Sequence, residues 1–179
     1  MPQTSLWMGL RHVEFNRLST QNDGSQQRRY EGSMNLPWVG ISKTIENKVI
    51  YASHGHGIEQ FIAPNSFLWL TQAGQQLGVA RSRQTEFGVR HIAPQGSVGW
   101  NAAVFQIDRP LAYDEKLSGN YTGYFKRHLD GTQTHQGLEL GANLSTGQWR
   151  LGSQAQWLYA KISGVEETPD SVGSTPLNV

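Results

Sequence analysis

Hydrophobic and polar residues alternate with a period of two along much of the chain. Between residues 148 and 162 the odd positions are mostly large and apolar, whereas the even positions begin as Gln, Arg and Gly. Residues 132–144 repeat this pattern, with leucines and alanine on one face and polar residues or glycine on the other. Because successive side chains of a strand point to opposite faces, these segments predict two-faced β-strands.

The alternation predicts seven strands in total. They span residues 5–15, 33–43, 48–55, 83–93, 98–108, 132–144 and 148–162. Residues 121–128 are rich in aromatic side chains and could form an eighth strand. We interpret them instead as the upper part of the strand that ends near Ser145, with a bulge or kink at Asp130 and Gly131.

The connections between these strands alternate in length. Short joins are expected at 46–47, 94–97 and 146–147, and long joins at 18–32, 56–82 and 109–130. Tight turns on one side and long loops on the other are typical of an outer-membrane β-barrel. The sequence thus predicts an all-β fold, an antiparallel meander of about seven long strands.

The strand number predicts that this meander is incomplete. Bacterial barrels of one chain have an even number of strands and close to remove their edges, whereas seven strands alone leave two edges open. The 179 residues give about 26 residues for each strand with its connection. A plugged barrel of roughly 22 strands would need about 560 residues, so we expect part of such a wall.

Composition narrows the classes of function. Hydrophobic residues make up 37% and charged residues 16%, while Trp, Tyr and Phe number six each, which favours a folded chain over a disordered one. The net charge of +1, without a dense basic run, argues against a nucleic-acid partner. The absence of Cys excludes disulfides, thiolate metal sites and thiol catalysis.

Short motifs in the strands resemble those of the TonB-dependent outer-membrane receptors, which take up ferric siderophores and similar scarce ligands. Residues 6–11 contain a Gly-x-Arg step, and residues 49–57 resemble a Tyr-Ala-Ser strand that enters a Gly-containing loop. Residues 85–90 contain a Glu-x-Gly-x-Arg motif that begins at Glu86. Residues 101–108 resemble the strand that follows this motif in the family. Residues 130–140 are similar to a Gly and Gly-x-Glu signature, followed by an aromatic-rich strand.

The resemblance covers most of the chain outside its loops and implies a location and partners. Residues 1–179 are expected to be one partial receptor barrel without the amino-terminal plug and the closing strands. The expected location is the outer membrane of a Gram-negative bacterium. The expected partners are a ferric siderophore or similar ligand, the TonB complex acting through the plug, and membrane lipid. No cofactor, resident metal or enzymatic activity is expected.

Residues in or near the long connections are candidates for holding an anionic ferric chelate by charge and stacking. They are His54, His56, Trp69, Arg81, Arg83 and Tyr121. The two histidines stand two residues apart and share one side of an extended chain, but two ligands do not make a metal site.

Polar residues on the opposite strand faces are expected to face the lumen, where they would form ion pairs or contact the plug: Arg11, Glu86, Arg90 and Glu139. Aromatic residues near the strand ends suit the girdles at the membrane interfaces: Tyr51, Trp100, Trp149, Trp157 and Tyr159. A carboxylate pair for catalysis would need a shaped pocket and a perturbed acid, which no pattern here indicates.

Two other classes of protein fit the strand pattern. A passive porin would use the same wall but would have no plug and no high-affinity ligand. A soluble β-sandwich that binds carbohydrate would use tryptophans as stacking platforms and would pack its apolar faces together. In that case Leu138, Leu140, Leu151 and Trp157 would lie against a second sheet.

Overall fold

A single antiparallel sheet accounts for nearly all of the described chain. A computed structural model describes residues 3–20, 28–62, 71, 76–94, 98–165 and 173. Its strands are β1 (Gln3–Ser19), β2 (Arg28–Ile45), β3 (Lys48–Ile62), β4 (Gln76–His91), β5 (Val98–Lys116), β6 (Phe125–Thr146) and β7 (Trp149–Ser163). Each strand pairs with the next along the chain, which confirms the predicted all-β meander of seven strands.

The only helix in the described residues is a 3-10 turn at Gly119–Tyr121, between β5 and β6. Within that part of the chain, no helix has the length and apolarity needed to cross a membrane.

The tight joins lie at one end of the sheet. Glu46 and Asn47 connect β2 to β3, as predicted, and Glu46 has a positive φ of 54°. Gly147 and Gln148 connect β6 to β7, one residue later than expected, and Gly147 also has a φ of 54°. A residue without Cβ adopts this conformation without steric cost, which explains the glycine in this turn.

The strands extend further from these turns than the alternation predicted. β3 continues to Ile62 and β4 begins at Gln76, so His56 and Arg81 lie within strands instead of the expected loop at 56–82. The prediction was wrong about this boundary because the added segments do not alternate: Ile58, Glu59, Gln60 and Phe61 mix apolar and polar residues on both faces. Backbone pairing with a neighbouring strand, which periodicity cannot report, holds them extended.

A bulge in β6 confirms the predicted irregularity at Asp130 and Gly131. Leu129 pairs with Ala112 and Thr132 with Pro110, so two residues of β6 oppose Leu111 alone. Gly131 adopts a φ of 79°, the backbone conformation that this kind of bulge requires. The segment above the bulge is therefore the upper part of β6 and not an eighth strand.

The register drifts steadily across the sheet. One row of directly paired residues runs through Lys43, Ile50, Val89, Ala102 and Leu140. Lys43 lies about two residues before the end of β2, whereas Leu140 lies about six residues before the end of β6. This stagger tilts the strands in the way that a barrel wall requires.

No second layer covers the sheet in the described residues. The buried apolar side chains there are few: Leu36, Ala103, Ala160, Ile162 and Val165. Leu140, Leu151 and Trp157 are 44%, 60% and 76% exposed, so they do not pack against a second sheet. The β-sandwich alternative is therefore wrong for this chain.

Candidate functional site

The sheet has one apolar face, because the register brings the apolar positions of all seven strands to the same side. This apolar face carries Leu6, Met8, Leu10, Val39, Ile41, Ile50, Ala52, Phe87, Val89, Ala102, Val104, Leu138, Leu140, Leu151, Ala155 and Trp157. The apolar residues form a continuous band across the sheet on the half of each strand nearest the tight turns. Most of their side chains are exposed.

The opposite face, which we call the groove face, is rich in glycine and combines polar side chains with aromatic rings. It encloses an open groove of about 1150 Å³ that reaches from β1 to β7. Residues that line this groove include Trp7, Trp38, Tyr51, Arg90, Asn101 and Gln154. One groove bordered by strands from both edges of the sheet indicates that the sheet curves around this face.

Glycines on the groove face lie under large side chains of neighbouring strands. The rings of Phe15, Trp38, Tyr51 and Phe105 occupy the positions where a Cβ of Gly32, Gly9, Gly88 and Gly137 would stand. Each ring therefore lies close against the backbone of the next strand. The glycines of the Gly-x-Arg, Glu-x-Gly-x-Arg and Gly-x-Glu motifs at Gly9, Gly88 and Gly137 all serve this contact.

A polar cluster lies on the groove face around Glu86. The Tyr51 hydroxyl donates a hydrogen bond of 2.6 Å to Glu86 Oε1, and Gln84 Nε2 donates to Glu86 Oε2 at 3.4 Å. Glu139 accepts a hydrogen bond of 2.9 Å from Gln156 Nε2. Glu86 and Glu139 also line a smaller pocket of about 210 Å³. The hydrogen-bond donors hold both carboxylates in place, facing the groove.

The other predicted groove-face residues lie apart from this cluster. Arg11 pairs with Leu36, and Arg90 lies between Val49 and Asn101, so the register puts both on the groove face. Neither forms an ion pair with another described residue. Together with Glu86 and Glu139, they give the groove separated charges of both signs.

Alternation did not reveal an ion pair higher on the groove face. Arg109 donates two hydrogen bonds of 3.0 Å to the two carboxylate oxygens of Glu59, which lies two strands away. The planar guanidinium and carboxylate match in this bidentate geometry. The pair joins β3 to β5 over β4, and its residues are about 50 apart in sequence, which is why a pattern search missed it.

Four candidate ligand residues lie on the apolar side of the sheet. His54 pairs with Thr85, and His56 pairs with Arg83. Arg81 lies two residues before Arg83 in β4 and therefore on the same face. The His54 Nδ1 and Thr85 Oγ1 atoms are 2.8 Å apart, and the two histidine rings meet edge to face at 5.3 Å. These four side chains therefore point away from the groove, just beyond the apolar band.

The remaining two candidates lie between strands in the sequence. Tyr121 ends the 3-10 turn between β5 and β6. Trp69 lies outside the described residues. No group of three or more His, Asp or Glu side chains in the described residues is arranged to hold a metal ion.

Four of the five expected girdle residues share the apolar face. Trp100 and Trp149 lie near the turn end of the band, and Trp157 and Tyr159 lie near its other end. Tyr51 does not belong with them, because it pairs with Gly88 on the groove face and donates to Glu86. Its position in β3 has the opposite parity to that of Ile50 and Ala52, which are on the apolar face.

Comparisons with known proteins agree on one type of structure. A family model described as "TonB dependent receptor-like, beta-barrel" matches residues 3–179. The chain resembles BauA, the ferric preacinetobactin receptor from Acinetobacter baumannii, with 21% identity and a TM-score of 0.70, over 98% of this chain and 25% of that one. No curated protein matches the sequence significantly.

Two further solved structures share the architecture. The FrpB iron transporter from Neisseria meningitidis is 18% identical with a TM-score of 0.62, over 96% of this chain and 25% of that one. The copper transporter OprC is 16% identical with a TM-score of 0.56, over 94% of this chain and 28% of that one. The chain thus spans about a quarter of the length of these structures.

Proposed function

Because the chain belongs to the TonB dependent receptor-like β-barrel family, we propose that it forms a section of the wall of an outer-membrane receptor that imports ferric siderophores or a similar scarce ligand. We assign it no catalytic role. Members of the family are outer-membrane barrels of Gram-negative bacteria, and we place this chain in that membrane. Energy for import would come from the TonB complex, acting through a plug within the barrel.

The observation that carries this proposal is the uncovered apolar face. Its band crosses all seven strands, and nothing in the described part of the chain covers it. Burying such a surface is favourable, and hydrocarbon tails would cover it without another protein layer. A spanning strand needs about 9–11 residues, so the longer strands here would continue past the membrane on the side opposite the tight turns.

The groove face would then line the lumen. Its glycines and polar residues suit a surface that meets water and a second domain, because no hydrocarbon contacts it. We propose that Arg11, Glu86, Arg90 and Glu139 contact the plug. Separated charges of both signs would let the plug bind through complementary pairs that can part during transport.

The similar structures suggest the class of ligand. They are a ferric preacinetobactin receptor, an iron transporter and a copper transporter, so each handles iron or copper. We propose a ferric chelate bound by the long joins on the side opposite the tight turns. Trp69 and Tyr121 remain candidates there, whereas His54, His56, Arg81 and Arg83 point outward and would not contact a ligand in the lumen.

Spin labels along β6 test the wall assignment. The chain has no Cys, so a single-cysteine variant at each position from 136 to 144 carries only one label. In vesicles, labels at even positions are expected to collide with oxygen, which concentrates in hydrocarbon. Labels at odd positions are expected to collide with a water-soluble nickel complex. Equal nickel access at both sets of positions would refute the assignment.

Residues 126–129 provide the matched control on the same strand. They lie above the bulge and beyond the apolar band, so labels there should be open to the nickel complex at even and odd positions alike. An oxygen pattern that continued through 126–129 would also contradict the proposed membrane boundary.

Growth measurements test the ligand class. Deleting the gene in its own bacterium is expected to slow growth when a ferric chelate is the sole iron source. Growth on a ferrous salt should be unaffected, because ferrous iron needs no chelate receptor. A growth defect confined to copper limitation would show that the ligand class is wrong, while leaving the wall assignment intact.

A further inference from the structure

A basic cluster lies just beyond the apolar band on the outward face of β3 and β4. We define it as His56, Arg81 and Arg83. His56 directly opposes Arg83, and Arg81 lies two residues further from the tight turns on the same face. Phe87 and Val89 continue the same row of β4 into the apolar band. If a bilayer's hydrocarbon tails cover the apolar band, its headgroups therefore lie at the level of this cluster.

Few carboxylates balance this cluster. Arg83 Nη2 is 4.0 Å from Asp108 Oδ2, and its side chain is 61% exposed. Asp108 already accepts hydrogen bonds of 3.1 Å from Gln106 Nε2 and 2.9 Å from Thr134 Oγ1. Arg81 forms no ion pair with another described residue. Both guanidinium groups thus have donors that the protein leaves open.

The other two described arginines beyond the band on this face stand singly, each with its own carboxylate. Arg29 lies 3.8 Å from Glu31, and Arg127 lies 2.6 Å from Asp114. In the cluster, by contrast, two arginines share one carboxylate, that of Asp108, at 4.0 Å from Arg83. The chemistry of the cluster suits a phosphate group, which a guanidinium binds with two parallel hydrogen bonds.

We propose that His56, Arg81 and Arg83 bind the phosphate of an anionic membrane lipid whose acyl chains lie on the adjoining apolar band. This inference rests on the proposed membrane position of the sheet. Two features select a lipid over a free anion: the cluster faces outward, away from the groove, and its row of residues continues into apolar side chains. A basic site beside hydrocarbon is the arrangement that holds anionic headgroups in other membrane proteins.

Binding of lipid A tests the proposal, since lipid A joins phosphate groups to acyl chains. The full chain is inserted into phosphatidylcholine vesicles with lipid A or with dephosphorylated lipid A, and the lipid retained after detergent extraction is measured. The Arg81→Gln/Arg83→Gln variant is expected to retain lipid A about tenfold more weakly than the wild type. The dephosphorylated lipid should be retained weakly by both proteins.

The matched control removes the same charge from the groove face. The Arg17→Gln/Arg150→Gln variant loses two arginines that the register puts on that face and should retain lipid A like the wild type. Equal loss in both variants, or equal retention of the dephosphorylated lipid, would overturn the proposal. Full displacement of lipid A by inorganic phosphate would also overturn it, because it would indicate a free-anion site.

A second variant covers the case in which the glutamine variant fails to insert. Arg81→Lys/Arg83→Lys keeps the charge and is expected to retain lipid A within about threefold of the wild type, with retention that falls as salt rises. Retention of lipid A that did not change with salt concentration would overturn the proposal. Failure of the wall assignment would look different, since the chain would then lack the alternating spin-label pattern in either kind of vesicle.

Discussion

At the scale of single residues, the glycines of the groove face let large rings of one strand lie close against the backbone of the neighbouring strand. A side chain at Gly88 would stand 2.5 Å from the Tyr51 ring and hydroxyl, which holds Glu86 by a hydrogen bond. A ring lying over a glycine covers backbone that would otherwise be exposed. The glycine of a short motif therefore contributes mainly by making room for a ring of the neighbouring strand, and less by its effect on the conformation of its own strand.

Replacing Gly88 tests this role. Gly88→Ala is expected to lower the free energy of unfolding by about 1–3 kcal/mol, because the new Cβ displaces Tyr51 and weakens its bond to Glu86. Gly152→Ala is the control, since the nearest atom to a Cβ there is the Ala142 carbonyl oxygen at 4.0 Å. It should change stability by less than about 0.5 kcal/mol in the same denaturant titration. Equal effects would contradict the packing argument.

The Asp114–Arg127 pair is a second residue-scale feature, above the bulge. Arg127 Nε and Nη2 each donate a hydrogen bond of 2.6 Å to Asp114. A double-mutant cycle with Asp114→Asn and Arg127→Gln is expected to give a coupling of about 1 kcal/mol, as for a partly exposed bidentate pair. The more distant exposed pair of Arg29 and Glu31 is the control and should give a smaller coupling. A larger coupling there would contradict the geometric argument.

The stability of this pair at alkaline pH follows from the direction in which the pKa of Arg127 is shifted. The hydrogen bond with Asp114 raises the pKa of Arg127 above its ordinary value. A group whose pKa is higher in the folded chain contributes stability that is complete below the ordinary pKa and is lost only above it. The measured coupling should therefore stay constant from about pH 7 to about pH 10. A decline in that range would show that the pair is not formed in solution.

At the scale of elements, the bulge in β6 sets the path of the strand beyond the apolar band. A Cβ on Gly131 would stand 2.7 Å from Val165 Cγ2 and 2.9 Å from the Ser163 carbonyl oxygen. The segment after β7 thus packs against the bulge, and the bulge requires both a positive φ and open space. Strand pairing between β5 and β6 continues above it as far as Lys116 and Phe125.

Two glycines with positive φ separate strain from packing. Gly131→Ala is expected to cost about 2–4 kcal/mol, because strain at a φ of 79° adds to the clash with Val165 and Ser163. Gly78→Ala has a φ of 110° but no atom within 4 Å of the added Cβ, so only strain of about 1–2 kcal/mol is expected. Hydrogen exchange of the β5 amides from 112 to 116 should rise in the first variant only. No difference between the variants would contradict the packing role.

At the scale of the whole molecule, the sheet has exposed edges and an exposed apolar face. In the described residues, β1 and β7 each pair with one neighbour. Unpaired strand edges and large apolar patches both favour association with other chains. The isolated chain is therefore expected to associate in water and to disperse in detergent.

Charge on the apolar face should reduce this association. In water without detergent, Leu140→Glu/Trp157→Glu is expected to lower the average mass by about half or more, measured by light scattering during size exclusion. Gln133→Glu/Gln154→Glu adds the same charge on the groove face and should leave the mass nearly unchanged. A wild-type chain that eluted as a monomer of 20.0 kDa without detergent would contradict the argument.

Sequence periodicity was enough to predict the strands and their faces. One face of each strand needs an apolar environment and the other a polar one, and this difference is written in the sequence as alternation. Tight turns also make register readable, since paired residues lie at equal distances from the turn, as Trp38 and Gly55 do around Glu46 and Asn47. The bulge at Asp130 and Gly131 was readable for a similar reason, as a turn signal inside a strand.

Only the tertiary structure decided contacts across the long joins and the direction of residues beyond the apolar band. The register of β3 with β4 brings Tyr51 to Glu86 and turns His56, Arg81 and Arg83 outward. The ion pair of Arg109 and Glu59 likewise spans two strands. A long connection leaves the register free, and segments that mix apolar and polar residues on both faces give no sign of which face is covered. Backbone pairing alone therefore determines where these side chains point.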